Sequence, residues 1–315
     1  MSEPRVSRAL GLLLGHLADR RFGDPRRGHP VAIFGSAAAA LERRTYADSR
    51  ARGLLHLALL AGAVAGGGLG LERRARGHPL AHTLVTAAAT WTVLGGTSLG
   101  REARAVHGLL AADDLPGARQ RLTHLVGRDT SVLDEAEVSR ATVESVAENT
   151  SDAVVAPLVW GALLGVPGLL GHRAVNTLDA MVGHRGERYG RFGWASARLD
   201  DLLNLPGARL SGQLAAALAP VVGGRPSAAL HAWRRDARRH PSPNAGVVEA
   251  AFAGALGVRL GGRNHYAHGT EDRVILGDGP PPTRADIARA VRLADAVGFG
   301  AVVIAALASL RAART

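Results

Sequence analysis

Three carboxylates recur at intervals of one helical turn in the segment ESVAENTSD, residues 144–152. If this segment is helical, Glu144, Glu148 and Asp152 occupy positions i, i+4 and i+8 and share one face. Like charges at this spacing repel each other, and a bound cation would remove the repulsion. Magnesium is commonly held by one or two carboxylates together with substrate phosphates. The spacing therefore predicts a metal or substrate site, and the alternative is a solvated acidic face.

A second polar segment, HRAVNTLDAMVGHR, occupies residues 172–185 and directly follows an apolar run. His172, Asn176 and Asp179 lie on one face if the segment is helical. An amide and a carboxylate in this position can orient a phosphate-bound metal or an incoming amine. Capping of a short helix by Asn and Asp explains the same residues equally well.

A third segment, WASARLDDLLNLPGARL, occupies residues 194–210. Asp200 and Asp201 are adjacent and point to different faces of a helix, so at most one of them serves a shared site. Arg198 and Arg209 can bind a phosphate or a carboxylate through two hydrogen bonds. For Arg209 taken alone, salt bridging at a membrane edge is the favoured interpretation.

A fourth segment, HPSPNAGVVEAAFAGALGVRLGGRNHY, occupies residues 240–266. Ser242, Pro243 and Asn244 predict a turn that leads into a helix of small residues. Such a turn can present backbone amides to an anion. The alternative is an ordinary helix N-cap at Ser242 or Asn244.

Composition excludes several classes of chemistry. The chain has no cysteine, which excludes disulfides, thiolate metal sites and a cysteine nucleophile. All 38 basic residues are arginine, so a lysine-dependent phosphate loop and a lysine Schiff base are excluded as well. The net charge of +11 is not accompanied by a nucleic-acid-binding module. We therefore expect anionic substrates and no nucleic acid.

The apolar runs predict an all-α, multi-pass integral membrane protein. Residues 53–71 and 79–100 each approach the length of about 20 residues that crosses a bilayer. Runs at 210–222 and 296–310 are short for independent spans, and β-type alternation is absent. Arginines on both sides of the first span leave its orientation open. The 315 residues are predicted to form a single membrane domain with polar catalytic segments at 101–152, 172–209 and 225–295.

The apolar run at 153–171 is interrupted by Pro157 and by GVPG at 165–168. If this run crossed the bilayer, the polar segments on either side of it would face opposite compartments and could not share a site. The breakers instead predict a helical hairpin, or re-entrant segment, that returns to the same side.

The polar segments together resemble the CobD/CbiB family of cobalamin biosynthesis. The similar stretches are RATVESVAENTSDAVVAPLVW, AVNTLDAMVGHR, RFGWASARLDDLLN and SPNAGVVEAAFAGALGVRLGG, with GDPRRGHPV at residues 23–31 as an early motif. They cover most of the chain in the family's order. The resemblance implies an adenosylcobinamide-phosphate synthase in the cytoplasmic membrane, with its active site facing the cytoplasm. It would join aminopropanol, or its phosphate, to the side-chain carboxylate of adenosylcobyric acid through an acyl phosphate, with ATP and Mg²⁺ and release of ADP.

The resemblance also implies roles for particular residues. Glu144, Glu148 and Asp152 would hold Mg-ATP, and Asp179 and Asp200 would complete the catalytic carboxylates. The substrate-binding residues would be Asp24, His29, Asn149, Asn176, Arg198, Asp201, Asn204, Arg209, Ser242 and Asn244. By residue type alone, His29 is more often a structural hydrogen bonder.

Expected partners are the corrinoid, the amine and the lipid bilayer. A homo-oligomer or complexes with other membrane enzymes of the pathway stay open. Two alternatives from other classes also remain: a non-catalytic membrane regulator of the AmpE-like type, and a transporter. A transporter would need longer and more numerous spans carrying buried polar residues, whereas the polar residues here concentrate between the apolar runs.

Overall fold

A computed structural model describes residues 3–24, 28–184, 186–266 and 269–311, without the side chains of residues 265, 266 and 269–271. Within these residues the chain is helical, with one two-stranded sheet. The helices are α1 Glu3–Phe22, α2 Pro30–Thr45, α3 Arg50–Ala75, α4 Pro79–Val93, α5 Gly96–Ala111, α6 Leu115–Leu122, α7 Glu135–Thr150, α8 Ala156–Leu164, α9 Val166–Val182, α10 Trp194–Ala217, α11 Pro226–Asp236, α12 Ala245–Leu256 and α13 Arg284–Arg311. The strands are β1 Leu260–Tyr266 and β2 Gly269–Leu276. The predicted all-α class is confirmed apart from this sheet.

The contacts divide the chain into two compact units. Unit 1 comprises Met1–Gly95, Asp152–Gly207 and Ala301–Thr315, and unit 2 comprises Gly96–Ser151 and Ala208–Gly300. Each unit is therefore assembled from stretches that are distant in sequence. The prediction of a single domain stays a prediction, because compact contacts do not establish that either unit folds independently.

In unit 1, α1 packs closely along α4. A Cβ added at Gly11 would lie 2.5 Å from the Cβ of Thr86, and one at Gly15 would lie 2.4 Å from the Cβ of Thr90. Only glycine fits at these two positions, and small residues allow helix backbones to approach each other. These two glycines therefore serve the packing of α1 against α4.

The predicted reversal in the apolar run of unit 1 is present at Gly165. This residue has φ 72° and ψ −144°, a combination that glycine adopts far more readily than other residues. It separates α8 from α9, which pack against each other. The buried carboxylate of Glu72 accepts hydrogen bonds from the N–H of Val166 and from Arg8, both at 2.9 Å. The hairpin is thus fixed to α3 and α1, whereas its position in a bilayer stays a prediction.

Gly165→Ala is expected to lower the stability of the protein by about 1–3 kcal/mol. The backbone conformation is strained for alanine, and the added Cβ would lie 2.4 Å from Oε2 of Glu72. The melting temperature in detergent is the measurement. Gly66→Ala on α3 is the matched control, because no atom lies within 4 Å of its added Cβ. Equal melting temperatures for the two variants would contradict this account of the reversal.

Two helices in the described part of the chain are long and apolar enough to cross a membrane, judged by length and composition. They are α3 and α13, whose most apolar 18-residue windows have mean hydropathies of 1.8 and 2.1. Only 17% of the window in α3 is buried, so this helix presents an extended apolar surface. The prediction of several spans is therefore supported only for these two candidates.

Two sequence-based expectations about spans are wrong. The predicted continuous span over 79–100 is interrupted, because Leu94 and Gly95 separate α4 from α5 and the N–H of Gly95 donates to the carbonyl of Ala153. The run at 296–310 is not short, because it is the end of the 28-residue helix α13. The helix begins before this run, in a more polar stretch where Arg289 donates to the carbonyl of Val222 at 2.9 Å.

Unit 2 contains α7, which is buried along most of its length. Asp134 caps its start, since its carboxylate accepts from the N–H of Glu137 while the Glu137 carboxylate accepts from the N–H of Asp134. This reciprocal capping box is the helix signal that the DEAE sequence carries. The helix packs against α5, α6, α12 and β1. The predicted helix in this segment is confirmed.

The predicted all-α class does not hold for residues 260–276, where β1 pairs antiparallel with β2. The register shifts between Leu260 and Gly262, where Gly261 and Gly262 have φ of 81° and 91°. The sequence LGGRNHY lacks the apolar alternation that marks a strand. Tertiary contacts hold the strand instead, because Arg140 of α7 donates to the carbonyl of Arg263 at 2.6 Å.

Candidate functional site: a carboxylate cavity and a buried polar network

Unit 2 contains a polar cavity of about 270 Å³. Its walls come from α7, α12, the segment before α7 and the β-sheet. The lining residues are Leu125, Val126, Gly127, Arg128, Glu144, Ser145, Glu148, His240, Glu249, Gly261, Asn264, Arg273 and Val274. Three carboxylates and two arginines therefore face one small space, which is an unusual concentration of charge for a protein interior.

Glu144 is at the centre of a buried ion network beside this cavity. One carboxylate oxygen accepts from Arg128 at 2.8 Å, and the other accepts from Arg140 at 3.2 Å and from the N–H of Gly261 at 2.8 Å. The amide oxygen of Asn264 accepts from both arginines, at 2.7 and 3.0 Å. The network joins α7 to β1 and occupies both oxygens of Glu144 with protein donors.

Glu148 and Glu249 differ from Glu144, because neither has a hydrogen bond or ion pair to another described residue. Burial raises the pKa of Glu249 well above its usual value, and the charges of Glu144 and Glu148 raise it further. Burial also raises the pKa of Glu148, although Arg273 opposes this shift. Glu148 points into the cavity, where its side chain stays accessible to water, whereas Glu249 is only 7% exposed. Desolvation is therefore more severe for Glu249.

The segment at residues 240–245 forms another wall and is held by its own side chains. Nδ1 of His240 accepts from the N–H of Ser242 at 3.1 Å, and burial lowers the pKa of this histidine, which favours the neutral ring. The hydroxyl of Ser242 accepts from the N–H groups of Asn244 and Ala245 at 3.3 and 3.2 Å. These two amides are thus bound to a side chain of the turn, whereas the N-cap residue of α12, Asn244, makes no side-chain capping bond. Asn244 also accepts from Arg209 at 2.8 Å.

Unit 1 holds a separate polar network around Asp200. Its carboxylate accepts from the side-chain amides of Asn176 at 3.2 Å and Asn204 at 2.9 Å. The amide oxygen of Asn204 accepts from Nε2 of His172 at 2.9 Å. Burial lowers the pKa of His172 to about 4, so the ring is neutral at physiological pH and Nδ1 is left without a proton. This Nδ1 is buried with no hydrogen-bond partner among the described residues.

Arg173 adds a buried positive charge to unit 1. Burial lowers its pKa, while the carboxylates of Asp24 and Asp152 raise it. Asp152 precedes the apolar hairpin and Arg173 follows its reversal, so the hairpin brings these two residues of unit 1 into one electrostatic environment. Asp24 also lies 3.7 Å from Nε2 of His29, whose Nδ1 accepts from the N–H of Val31. The helix-capping bond of His29 agrees with the structural interpretation of this residue.

Several predicted site residues are thus grouped, and four others are not among the residues that define the two groups. Asn149 donates to the carbonyl of Ser145 in its own helix at 2.9 Å. Asp179 lies at the end of α9, where a Cβ added at Gly183 would overlap it. Arg198 is exposed and Asp201 is half-buried on α10. Their proposed roles stay predictions.

Several residues of these groups were not predicted from the sequence, among them Arg128, Arg173, Glu249, Asn264 and Arg273. Glu249 had a usable signal, because it is the one charged residue in the apolar helix AGVVEAAFAGAL. A lone carboxylate in such a helix is expensive to bury without a partner, so its presence there indicates a function. Asn264 and Arg273 had no local signal, because they reach the cavity through strand pairing.

A metal site needs more donors than these residues supply alone. Among the described residues, no three histidine or carboxylate side chains are arranged to hold a metal ion. The fit is better for Mg²⁺ that binds together with a phosphate, which needs only one or two carboxylates. Glu148 and Glu249 meet this requirement, because no arginine or backbone amide within the described part of the chain donates a hydrogen bond to their oxygens.

Comparisons with known proteins agree with the sequence motifs. The protein named "Cobalamin biosynthesis protein CobD" from Mycobacterium tuberculosis is 56% identical over 302 residues, which cover 96% of either chain. Proteins with the same name from Geobacter metallireducens and Chromobacterium violaceum are 47% and 44% identical, over 87% and 91% of this chain and 88% and 92% of theirs. The family described as CobD/Cbib protein matches residues 12–294. This chain belongs to the CobD/CbiB family. No solved structure significantly matches this chain.

Proposed function

We propose that this protein is an ATP-dependent, ADP-forming ligase of cobalamin biosynthesis. It joins aminopropanol, or its phosphate, to the side-chain carboxylate of adenosylcobyric acid and yields adenosylcobinamide or its phosphate. Family membership and relatives named for cobalamin biosynthesis support the pathway. The observation that supports ligase chemistry most directly is the cavity of unit 2, where Glu148 and Glu249 make no hydrogen bond or ion pair to the described residues and lie beside a fixed cluster of arginines.

The reaction needs an activated carboxylate, because a carboxylate oxygen is a poor leaving group. The terminal phosphoryl group of ATP passes to an oxygen of the corrinoid carboxylate, and ADP leaves. The amine nitrogen then attacks the acyl carbon and loses a proton, and the carbon–oxygen bond to phosphate breaks. Binding groups that stabilise phosphate charge accelerate such transfers.

The residues of unit 2 suit the phosphoryl half of this reaction. Glu148 and Glu249 would hold a magnesium ion, which would neutralise charge on the nucleotide phosphates. This assignment replaces Glu144 and Asp152 with Glu249. Arg128, Arg140 and the Gly261 amide already bind Glu144, and Asp152 belongs to unit 1 and does not line this cavity. Arg273 lines the same cavity and supplies positive charge beside these carboxylates.

The residues of unit 1 suit recognition of a neutral or cationic group. Asp200 is fixed by Asn176 and Asn204, and neutral His172 leaves a buried acceptor at Nδ1. We assign this network a role in positioning the amine. We also propose residence in the cytoplasmic membrane with several spans and a cytoplasmic site, a location that the apolar surfaces of α3 and α13 favour.

The decisive experiment is amide formation by protein purified from washed membranes. Adenosylcobyric acid, ATP and Mg²⁺ are supplied with aminopropanol or its phosphate in parallel, and amide and ADP are measured together. We expect equal amounts of both products from one amine, and activity in the membrane fraction rather than the soluble fraction. Glu148→Gln is expected to lower turnover, whereas exposed Glu187→Gln serves as the matched control. Folded protein in lipid that releases neither product would indicate a non-catalytic member of the family.

A further inference from the structure

A second depression in unit 2 is larger than the carboxylate cavity and has a different chemistry. It has a volume of about 810 Å³ and lies between α10, α11 and the start of α12. Arg209, Trp233, Arg234, Arg238, His240 and Val247 are among its lining residues. We call this depression the arginine groove. It combines three guanidinium groups with one indole ring, which is a set suited to a ligand that carries both negative charge and a flat ring.

The arginines of the groove differ from their neighbours in how they are paired. Arg235 binds Asp236 and Asp278, so it has a structural role between α11 and the end of β2. Arg234 and Arg238 are exposed and have no hydrogen bond or ion pair to any described residue. Arg209 is held towards the groove by its bond to Asn244. Two unpaired guanidinium groups and one positioned guanidinium group therefore share a concave surface.

The indole ring is held in place by close packing. Trp233 is half-buried, and a Cβ added at Gly212 would lie 3.1 Å from Cζ3 of its ring and 3.0 Å from Cγ1 of Val247. A side chain at position 212 would thus push the ring away from α10. A ring fixed against one wall of a groove gives a flat surface on which a nucleobase can stack with little loss of side-chain entropy.

The groove and the carboxylate cavity share a wall. His240 lines both of them, and the pKa of this buried histidine is lowered, so an uncharged side chain separates the arginines from Glu148 and Glu249. Gly246 supports this arrangement, because a Cβ there would lie 2.4 Å from the Cβ of His240. An anion bound in the groove would therefore share His240 as a neighbour with the cavity that Glu148 and Glu249 line.

We propose that the arginine groove is the binding site for a nucleoside triphosphate. The base stacks on Trp233, the phosphates bind Arg209, Arg234 and Arg238, and the terminal phosphate extends past His240 towards Glu148 and Glu249. This assignment rests on the proposed function, which requires ATP, and it adds the place and the contacts. The volume lies within the range of small-molecule sites. Three cationic groups match the multiple charges of a triphosphate better than the single carboxylate of a corrinoid substrate.

The test is direct binding of Mg-ATP to the full-length protein in detergent, with Kd measured by calorimetry. Trp233→Leu is expected to raise Kd about 5- to 150-fold. The double variant Arg234→Gln/Arg238→Gln is expected to raise Kd about tenfold or more. Arg225→Gln/Arg259→Gln is the control, since it removes the same charge from exposed positions outside the groove and is expected to leave Kd unchanged. Melting temperatures verify that each variant is folded.

Separate probes assign the two halves of the ligand. Adenosine should compete in a manner that depends on Trp233, and tripolyphosphate in a manner that depends on Arg234 and Arg238. Wild-type affinity for Mg-ATP in both variants would overturn the groove assignment, even if the protein forms amide normally. If the two variants lose binding to vesicles that contain acidic lipid but keep their affinity for Mg-ATP, the groove assignment would also be overturned. The groove would then be a membrane contact. Wild-type protein that neither binds ATP nor forms amide would instead contradict the proposed function.

Discussion

Glu249→Gln is expected to reduce ATP-dependent amide formation by at least about 100-fold and to make the metal-free protein more stable. The loss of turnover follows from the loss of one of the two carboxylates that would hold magnesium. The gain in stability, about 1–2 kcal/mol at neutral pH, follows because burial disfavours ionisation of the Glu249 carboxyl in the folded state but not in the unfolded state, whereas a neutral amide has no such difference. Opposite signs for activity and stability would identify Glu249 as a functional residue rather than a structural one.

The stabilisation by Glu249→Gln should depend on pH. Burial raises the pKa of Glu249 in the folded state above its usual value of 4.5. Below that value the carboxyl is protonated in both states and contributes no difference. As the pH rises, the unfolded state ionises first, so the wild-type protein loses stability until the pH passes the raised folded pKa. The difference in melting temperature should therefore be absent at low pH and grow towards neutral pH.

Thermal melts in EDTA across this pH range, with turnover measured in parallel, test the prediction. Glu187→Gln is the control, because Glu187 is exposed. Mg-ATP should raise the melting temperature of the wild-type protein and have little effect on the Glu249 variant, because binding stabilises the folded state only where the site is intact. A variant that is less stable than wild type at neutral pH would show that Glu249 has a structural partner.

The sequence predicts the local elements of this fold well. The capping box at Asp134 and Glu137 marks the start of α7, and Asp114 with the following LPG marks the start of α6. Gly165 marks the reversal between α8 and α9. Each of these signals is local, because it depends on backbone groups within one or two turns. Local signals of this kind can therefore be recognised without knowledge of the tertiary structure.

The sequence predicts the composition of the sites less well, because partners come from distant segments. Glu144 and Glu148 are recognisable by spacing. However, nothing local shows that Arg128 donates both to Glu144 and to the amide oxygen of Asn264, and makes no hydrogen bond to Glu148. The β-sheet that carries Asn264 has no apolar alternation and is held by bonds from α7. Such pairings are set by the tertiary fold, which overrides weak local preference.

Glu144→Gln is expected to destabilise the protein by about 3–5 kcal/mol, since it removes the one charge that compensates Arg128 and Arg140 in a buried network. The side chains of these arginines are only 11% and 10% exposed, so water cannot replace the lost carboxylate easily. We expect the melting temperature in detergent to fall by roughly 10 °C or more for a unit of this size. Turnover should be lost together with folded protein.

The neutral triple variant Arg128→Gln/Arg140→Gln/Glu144→Gln distinguishes a structural charge network from a metal-binding carboxylate. Replacing a whole buried ion network costs less than breaking it, so this variant should be more stable than Glu144→Gln alone. A Glu144→Gln protein with wild-type melting temperature and no turnover would favour the metal-binding role predicted from the one-turn spacing. A protein that instead loses stability and regains it in the triple variant would assign Glu144 to positioning β1, and would leave phosphate chemistry to Glu148 and Glu249.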